Sequence, residues 1–143
     1  MNLVLDASVM MKWFVREDGH ETAHRLFAID AAWSAPSLLT IEVANTLWKK
    51  VRPGAFAAEA ATEAVERLPR LPVRYVETVD LVAAAFALAT RLDHPVYDCC
   101  YLAVAEAEDG RVVAADRRLL ARVHGTAFAA RAVELDAFVA AQG

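Results

Sequence analysis

Asn2-Leu3-Val4-Leu5-Asp6-Ala7-Ser8 sets a short, unbroken apolar run directly against a carboxylate. Apolar residues that do not alternate with polar ones suit a strand covered on both faces, as in a parallel sheet flanked by helices. Asp6 then stands at the carboxyl end of that strand, the edge at which open α/β sheets bind their ligands. The same residue also suits the N-cap of a following helix over 9–15, because its side chain can accept from an unpaired amide of the first turn.

Outward from this stretch, strand and helix alternate. The first helix stops at the turn dipeptide Asp18-Gly19, and helical periodicity resumes over 20–29. Residues 33–35 read as a short strand, and Ser37 as the cap of a helix to about residue 51, closed by Pro53-Gly54. An alanine- and glutamate-rich helix spans 55–68, a strand 73–77, and a helix 78–92 capped by Thr78. Another helix begins around Asp98, which could cap it. Asp109-Gly110 is a turn, and 112–115 is a second buried-strand pattern that ends on Asp116 much as the first ends on Asp6. A helix over 117–123, a strand over 132–135 and a helix over 136–141 complete the chain. The alternation implies βαβ units with right-handed crossovers and a three-layer α/β/α sandwich about a central parallel β-sheet.

The length of 143 residues fits one domain, 1–143, with a real core. A hydrophobic fraction of 57% and a mean hydropathy of +0.29 are high for so small a globule, so some apolar surface is expected to face a partner. The net charge of -4 gives no overall attraction to nucleic acid, so any polyanion contact is local or metal-mediated. Cys99 and Cys100 are adjacent and make a poor structural disulfide, which points to a reducing, cytoplasmic setting. The longest apolar run, 81–89, falls well short of the roughly 20 residues a membrane helix needs.

Four acids stand in comparable settings. Glu42 lies on the helix after Ser37, sharing its polar side with Asn45, Thr46 and Lys49, while Val43, Ala44, Leu47, Trp48 and Val51 share the other. Each acid alone reads as a helix cap or a solvated charge. Together, two strand ends and two helices leaning over the same edge would bring Asp6, Glu42, Asp98 and Asp116 into one pocket. At ~5 Å and an effective dielectric of ~20, each pair of carboxylates costs about 3 kcal/mol. Divalent cations remove that cost, and an all-oxygen site suits Mg²⁺ or Mn²⁺ over zinc.

Asp6-Ala7-Ser8 after an apolar strand, Glu42-Val43-Ala44-Asn45 on a helix, Asp98 followed by Tyr101-Leu102-Ala103, and Val112-Val113 leading to Asp116 closely resemble the PIN domain, in particular VapC-type toxins of bacterial toxin–antitoxin pairs. The resemblance runs over essentially the whole chain. It implies a ribonuclease that holds Mg²⁺ or Mn²⁺ through Asp6, Glu42, Asp98 and Asp116, with Ser8 and Asn45 as supporting polar positions. It also implies RNA as substrate, hydrolysis by metal-activated water leaving a 5′-phosphate, a homodimer, and a VapB-like antitoxin wrapping an apolar groove. Many relatives carry Thr or Ser two residues before the last acid, where this chain has Ala114, so a supporting hydroxyl near Asp116 is missing. Lys12, Arg16, Lys49, Arg117 and Arg118 are close in sequence to the acids and could contact RNA phosphates, or could be ordinary solvated charges.

Two other readings compete. His20-Glu21-Thr22-Ala23-His24 matches the zinc-hydrolase pattern H-E-x-x-H, with Glu42 as a conceivable third ligand, although His20 follows directly on a turn. A PIN-like module that keeps its acids but works by binding RNA or protein is the non-enzymatic alternative. Cys99 and Cys100 read as helix-packing thiols, and Trp13, Trp33 and Trp48 as core or interface residues rather than base-stacking platforms.

Overall fold

In the computed structural model, which describes residues 1–143, β1 (Asn2–Leu5) is the middle strand of a five-stranded sheet of order β3-β2-β1-β4-β5, with every pairing parallel. Its Leu3, Val4 and Leu5 are fully buried, as an apolar run covered on both faces must be. The remaining strands are β2 (Ala32–Pro36), β3 (Arg74–Val76), β4 (Arg111–Ala114) and β5 (Ala132–Glu134). The helices are α1 (Ala7–Phe14), α2 (His20–Leu26), α3 (Leu38–Val51), α4 (Ala58–Arg67), α5 (Thr78–Leu92), α6 (Val96–Ala107), α7 (Arg117–Val123) and α8 (Leu135–Ala141). None of them is long and apolar enough to cross a membrane.

The chain winds from β1 to β2 to β3, then returns through α5 and α6 to the far side of β1 and continues from β4 to β5. With right-handed crossovers, that reversal puts α5 and α6 on the face opposite α1 to α4, giving the expected sandwich. The reversal point lies between β1 and β4, whose carboxyl ends carry Asp6 and Asp116. Helix α6 crosses β1, β2 and β4 and also packs on α5. Its residues from Cys99 through Ala105 are consequently all buried. Gly110 lets β4 begin beside β1, since a Cβ there would lie 2.7 Å from the Asn2 carbonyl oxygen.

Several boundaries and caps differ from the sequence reading, α1 among them, which starts at Ala7 rather than residue 9. Helix α4 starts at Ala58 rather than residue 55, because Ala57 is extended (φ -68, ψ 135). Helix α6 starts at Val96, directly after an extended Pro95, so Asp98 belongs to its first turn and is not its cap. Ser37 and Thr78 do not cap their own helices. Ser37 Oγ accepts from the Thr78 amide at 3.0 Å and Thr78 Oγ1 accepts from the Leu38 amide at 2.8 Å, so the two helix starts cap each other.

Candidate active site

Asp6 and Asp116 enter the site by the same local device. Each is the extended residue between a strand and a helix, and each side chain accepts from the amide two residues on, Ser8 for Asp6 and Arg118 for Asp116. Capping and functional placement are therefore compatible. Glu42 projects from α3 and Asp98 from the first turn of α6. All four acids line one cavity of about 380 Å³, together with Ser8, Lys12, Glu17, Thr46, Lys50 and Arg118.

Each carboxylate has its own partner. Ser8 Oγ donates to Asp6 Oδ2 and accepts from the Ala115 amide at 3.0 Å, which ties the end of β1 to the end of β4. Tyr101, fully buried on α6, donates its hydroxyl to Glu42 Oε1 at 3.0 Å. His94 Nε2 lies 2.6 Å from Asp98 Oδ2. The Arg118 guanidinium grips both oxygens of Asp116, with Nη2 2.6 Å from Oδ2.

Burial pushes Asp6 up to about 6 and Glu42 up to about 7. The neighbouring carboxylates add to both shifts, against the opposing hydrogen bonds of Ser8 and Tyr101. Asp116 is held below the usual carboxylate range, chiefly by its hydrogen bonds from Arg118. Burial also raises both thiols, Cys99 to about 11, as befits unreactive packing cysteines.

A divalent cation fits these donors in kind. The acids of the cavity are oxygen donors, and two of them, Asp6 and Glu42, lean on neutral hydroxyls that offset no charge. Asp6 Oδ1, Glu42 Oε2 and Asp98 Oδ1 have no hydrogen-bond partner in the protein. No group of three His, Cys, Asp or Glu side chains is already arranged to hold an ion, each carboxylate being turned toward its own partner. The zinc reading fares worse. The His20 and His24 rings pack edge to face, centroids 4.4 Å apart, but Glu42 lines neither of the pockets they reach, and His20 Nδ1 lies 2.8 Å from the Lys12 carbonyl oxygen.

The chain matches the PIN domain family over residues 3–125. It belongs to that family. It is 33% identical to Ribonuclease VapC3 of Pyrobaculum aerophilum over 83% of this chain and 92% of the relative. Its fold is similar to the crystal structure of VapC20 of Mycobacterium tuberculosis, described as a sarcin-ricin loop cleaving toxin, with a TM-score of 0.69 and 21% identity over 83% of this chain and 93% of that one. It is also similar to a toxin–antitoxin complex from Klebsiella pneumoniae, with a TM-score of 0.64 and 15% identity over 93% and 97% of the two chains.

Within this PIN domain, several of the expected site residues fall outside the cavity. Asn45 and Lys49 are exposed on α3, whereas Thr46 and Lys50, each one residue further on, line it. The cavity lies on the side of Glu42 that i+4 and i+8 reach, not the side reached by i+3 and i+7. Arg16 and Arg117 are also exposed and do not line the cavity, while Lys12 and Arg118 do. Ala114 is buried and does not line it either. The sequence reading missed both partners: His94 stands four residues before Asp98, a spacing that could have signalled it, whereas Tyr101 pairs with Glu42, 59 residues away.

Proposed function

We propose that this PIN domain is a Mg²⁺- or Mn²⁺-dependent endoribonuclease and the toxin of a VapBC-type pair in the cytoplasm. The observation that carries the reading is the convergence of four acids, from two strand ends and two helices, on one cavity at the sheet's reversal point. Asp6, Glu42, Asp98 and Asp116 are the residues that would hold the ion. When bound, the cation supplies the charge that offsets the carboxylates and the lowered pKa that lets water attack phosphorus. Ser8, Tyr101 and His94 each hold one oxygen of Asp6, Glu42 and Asp98 respectively, which leaves the other oxygen of each carboxylate for the ion. Lys12 and Lys50 on the cavity wall would meet phosphate oxygens. Water as nucleophile leaves the 2′-hydroxyl unused, and the expected product carries a 5′-phosphate.

The kinship with a VapC ribonuclease and the likeness to a toxin–antitoxin complex support an antitoxin partner. Its seat is the apolar groove between α3 and α4, lined by Leu47, Trp48, Val51, Ala61 and Val65. Trp48 stands about half exposed there, with Arg52 over its ring, which suits an interface rather than the core. A second copy is expected on the exposed stripe Val79, Val82 and Phe86 of α5.

Purified protein and an Asp98→Asn variant, incubated with structured and unstructured RNAs in Mg²⁺, Mn²⁺ or chelator, test the activity. Cleavage that needs both the metal and Asp98 is expected. Cyclic-phosphate products would overturn the water mechanism. Binding without cleavage by folded, metal-loaded protein would favour the non-catalytic module.

A further inference from the structure

One group at the cavity mouth plays no part in holding the acids. Glu17 lies on the connection between α1 and α2 and lines the cavity between two lysines from different helices. Lys12 Nζ of α1 is 3.5 Å from Glu17 Oε1, and Lys50 Nζ of α3 is 3.7 Å from Oε2. Both separations exceed a normal hydrogen bond, so the carboxylate is held by charge more than by directed bonds. Lys12 is fixed independently of Glu17. Its Nζ donates to the Asp18 carbonyl at 2.6 Å, and its stem runs over Gly19, where a Cβ would lie 3.0 Å from Lys12 Cδ. Gly19 has φ +88, the left-handed region that glycine adopts without strain, so the seat for that stem is built into the backbone.

We infer that Glu17 is an internal stand-in for an RNA phosphate, and that Lys12 and Lys50 form a phosphate-binding pair from which substrate displaces it. The inference rests on the ribonuclease reading and specifies how that site takes its substrate. A strand carries one phosphate per nucleotide, so a strand whose scissile phosphate reaches the acids must lay a neighbouring phosphate over the adjoining wall, where these ammonium groups stand. Partly exposed carboxylate pairs of this length are weak, whereas a phosphate offers several oxygens for charge-assisted hydrogen bonds. While no RNA is bound, Glu17 spares the two cations from repelling each other.

The test is binding of a short fluorescein-labelled single-stranded RNA, followed by anisotropy in Mg²⁺, with Asp98→Asn as the parent to prevent cleavage. Glu17→Gln keeps the shape and removes the competing charge, and is expected to tighten binding about fivefold. Lys50→Ala added to that variant should erase the gain and make binding less salt-dependent, by about 0.7 in the log–log slope. Thermal melts confirm that each variant is folded. Unchanged or weaker binding by Glu17→Gln, with the parent binding RNA, overturns the inference and leaves Glu17 as a loop staple. Failure of the folded wild-type protein, as well as of every variant, to bind RNA overturns the ribonuclease reading, and this inference with it.

Discussion

Asp6 and Asp116 reach the cavity through nearly identical local structure, yet they are opposite electrostatic objects. Asp6 is 9% exposed, leans on a neutral hydroxyl, and has its pKa raised to about 6. The Asp116 side chain is 38% exposed, is gripped by a guanidinium, and has its pKa lowered. Strand-then-acid-then-helix fixes where a carboxylate stands, and what surrounds it fixes its charge. The middle strand buries its acid, while the strand beside it opens its own to solvent and to Arg118. In this PIN domain the cavity therefore has a deep wall that resists ionisation and an outer wall that favours it.

The sharpest way to break the comparison is to neutralise each acid in turn. Asp6→Asn is expected to lower RNA cleavage by about a thousandfold, and Asp116→Asn by about ten- to a hundredfold, measured as single-turnover rates in Mg²⁺. A larger loss at Asp116 would show that the outer wall, not the deep one, contributes more to the reaction.

The next effect is on stability without metal. Asp6 and Glu42 have raised pKa values when folded, so the folded protein holds more protons than the unfolded chain between about pH 4 and 7. Stability is accordingly full below that window and lost as pH rises through it. A melting temperature lower by about 5 °C at pH 8 than at pH 5 is expected in chelator, and Asp6→Asn should flatten the difference. Asp116 acts in the opposite sense. Its stabilisation is present above its unfolded value of 3.8 and fades as pH falls below it.

Ser8→Ala removes the hydroxyl shared by Asp6 and the Ala115 amide, and should cost about 1–2 kcal/mol in urea unfolding. It should also move the acid limb of the cleavage profile upward in pH, because Asp6 loses a bond to its charged form. The smallest expected effect is from Arg118→Ala, which leaves stability nearly unchanged but raises the Asp116 pKa in an NMR titration. An unmoved Asp116 would show that burial, not Arg118, separates the two acids.

The strands and the four acids were legible because each is a local pattern: an apolar run closed by Asp, or an acid at a fixed offset on a helix. What surrounds the acids was not legible in the same way. Asn45 and Thr46 differ by one position on α3, and only the seating of that helix against its neighbours selects Thr46. Arg118 stands out in the sequence as a cation for RNA, but it turns back on Asp116, a choice set by a two-residue turn. Tyr101 sits among seven consecutive buried residues of α6, where composition suggests packing, and its hydroxyl finds Glu42 59 residues away.

The exchanged caps of Ser37 and Thr78 bear on how the protein is made. Helix α3, which carries Glu42, has its first amide satisfied by a hydroxyl 40 residues downstream, on the first residue of α5. On the ribosome, α3 emerges long before that hydroxyl does, and its opening turn stays incomplete until α5 begins. Glu42 is thus seated only after the second half of the chain has started to fold, so a prematurely terminated product ending before Thr78 carries the α3 acid without the contact that anchors its helix.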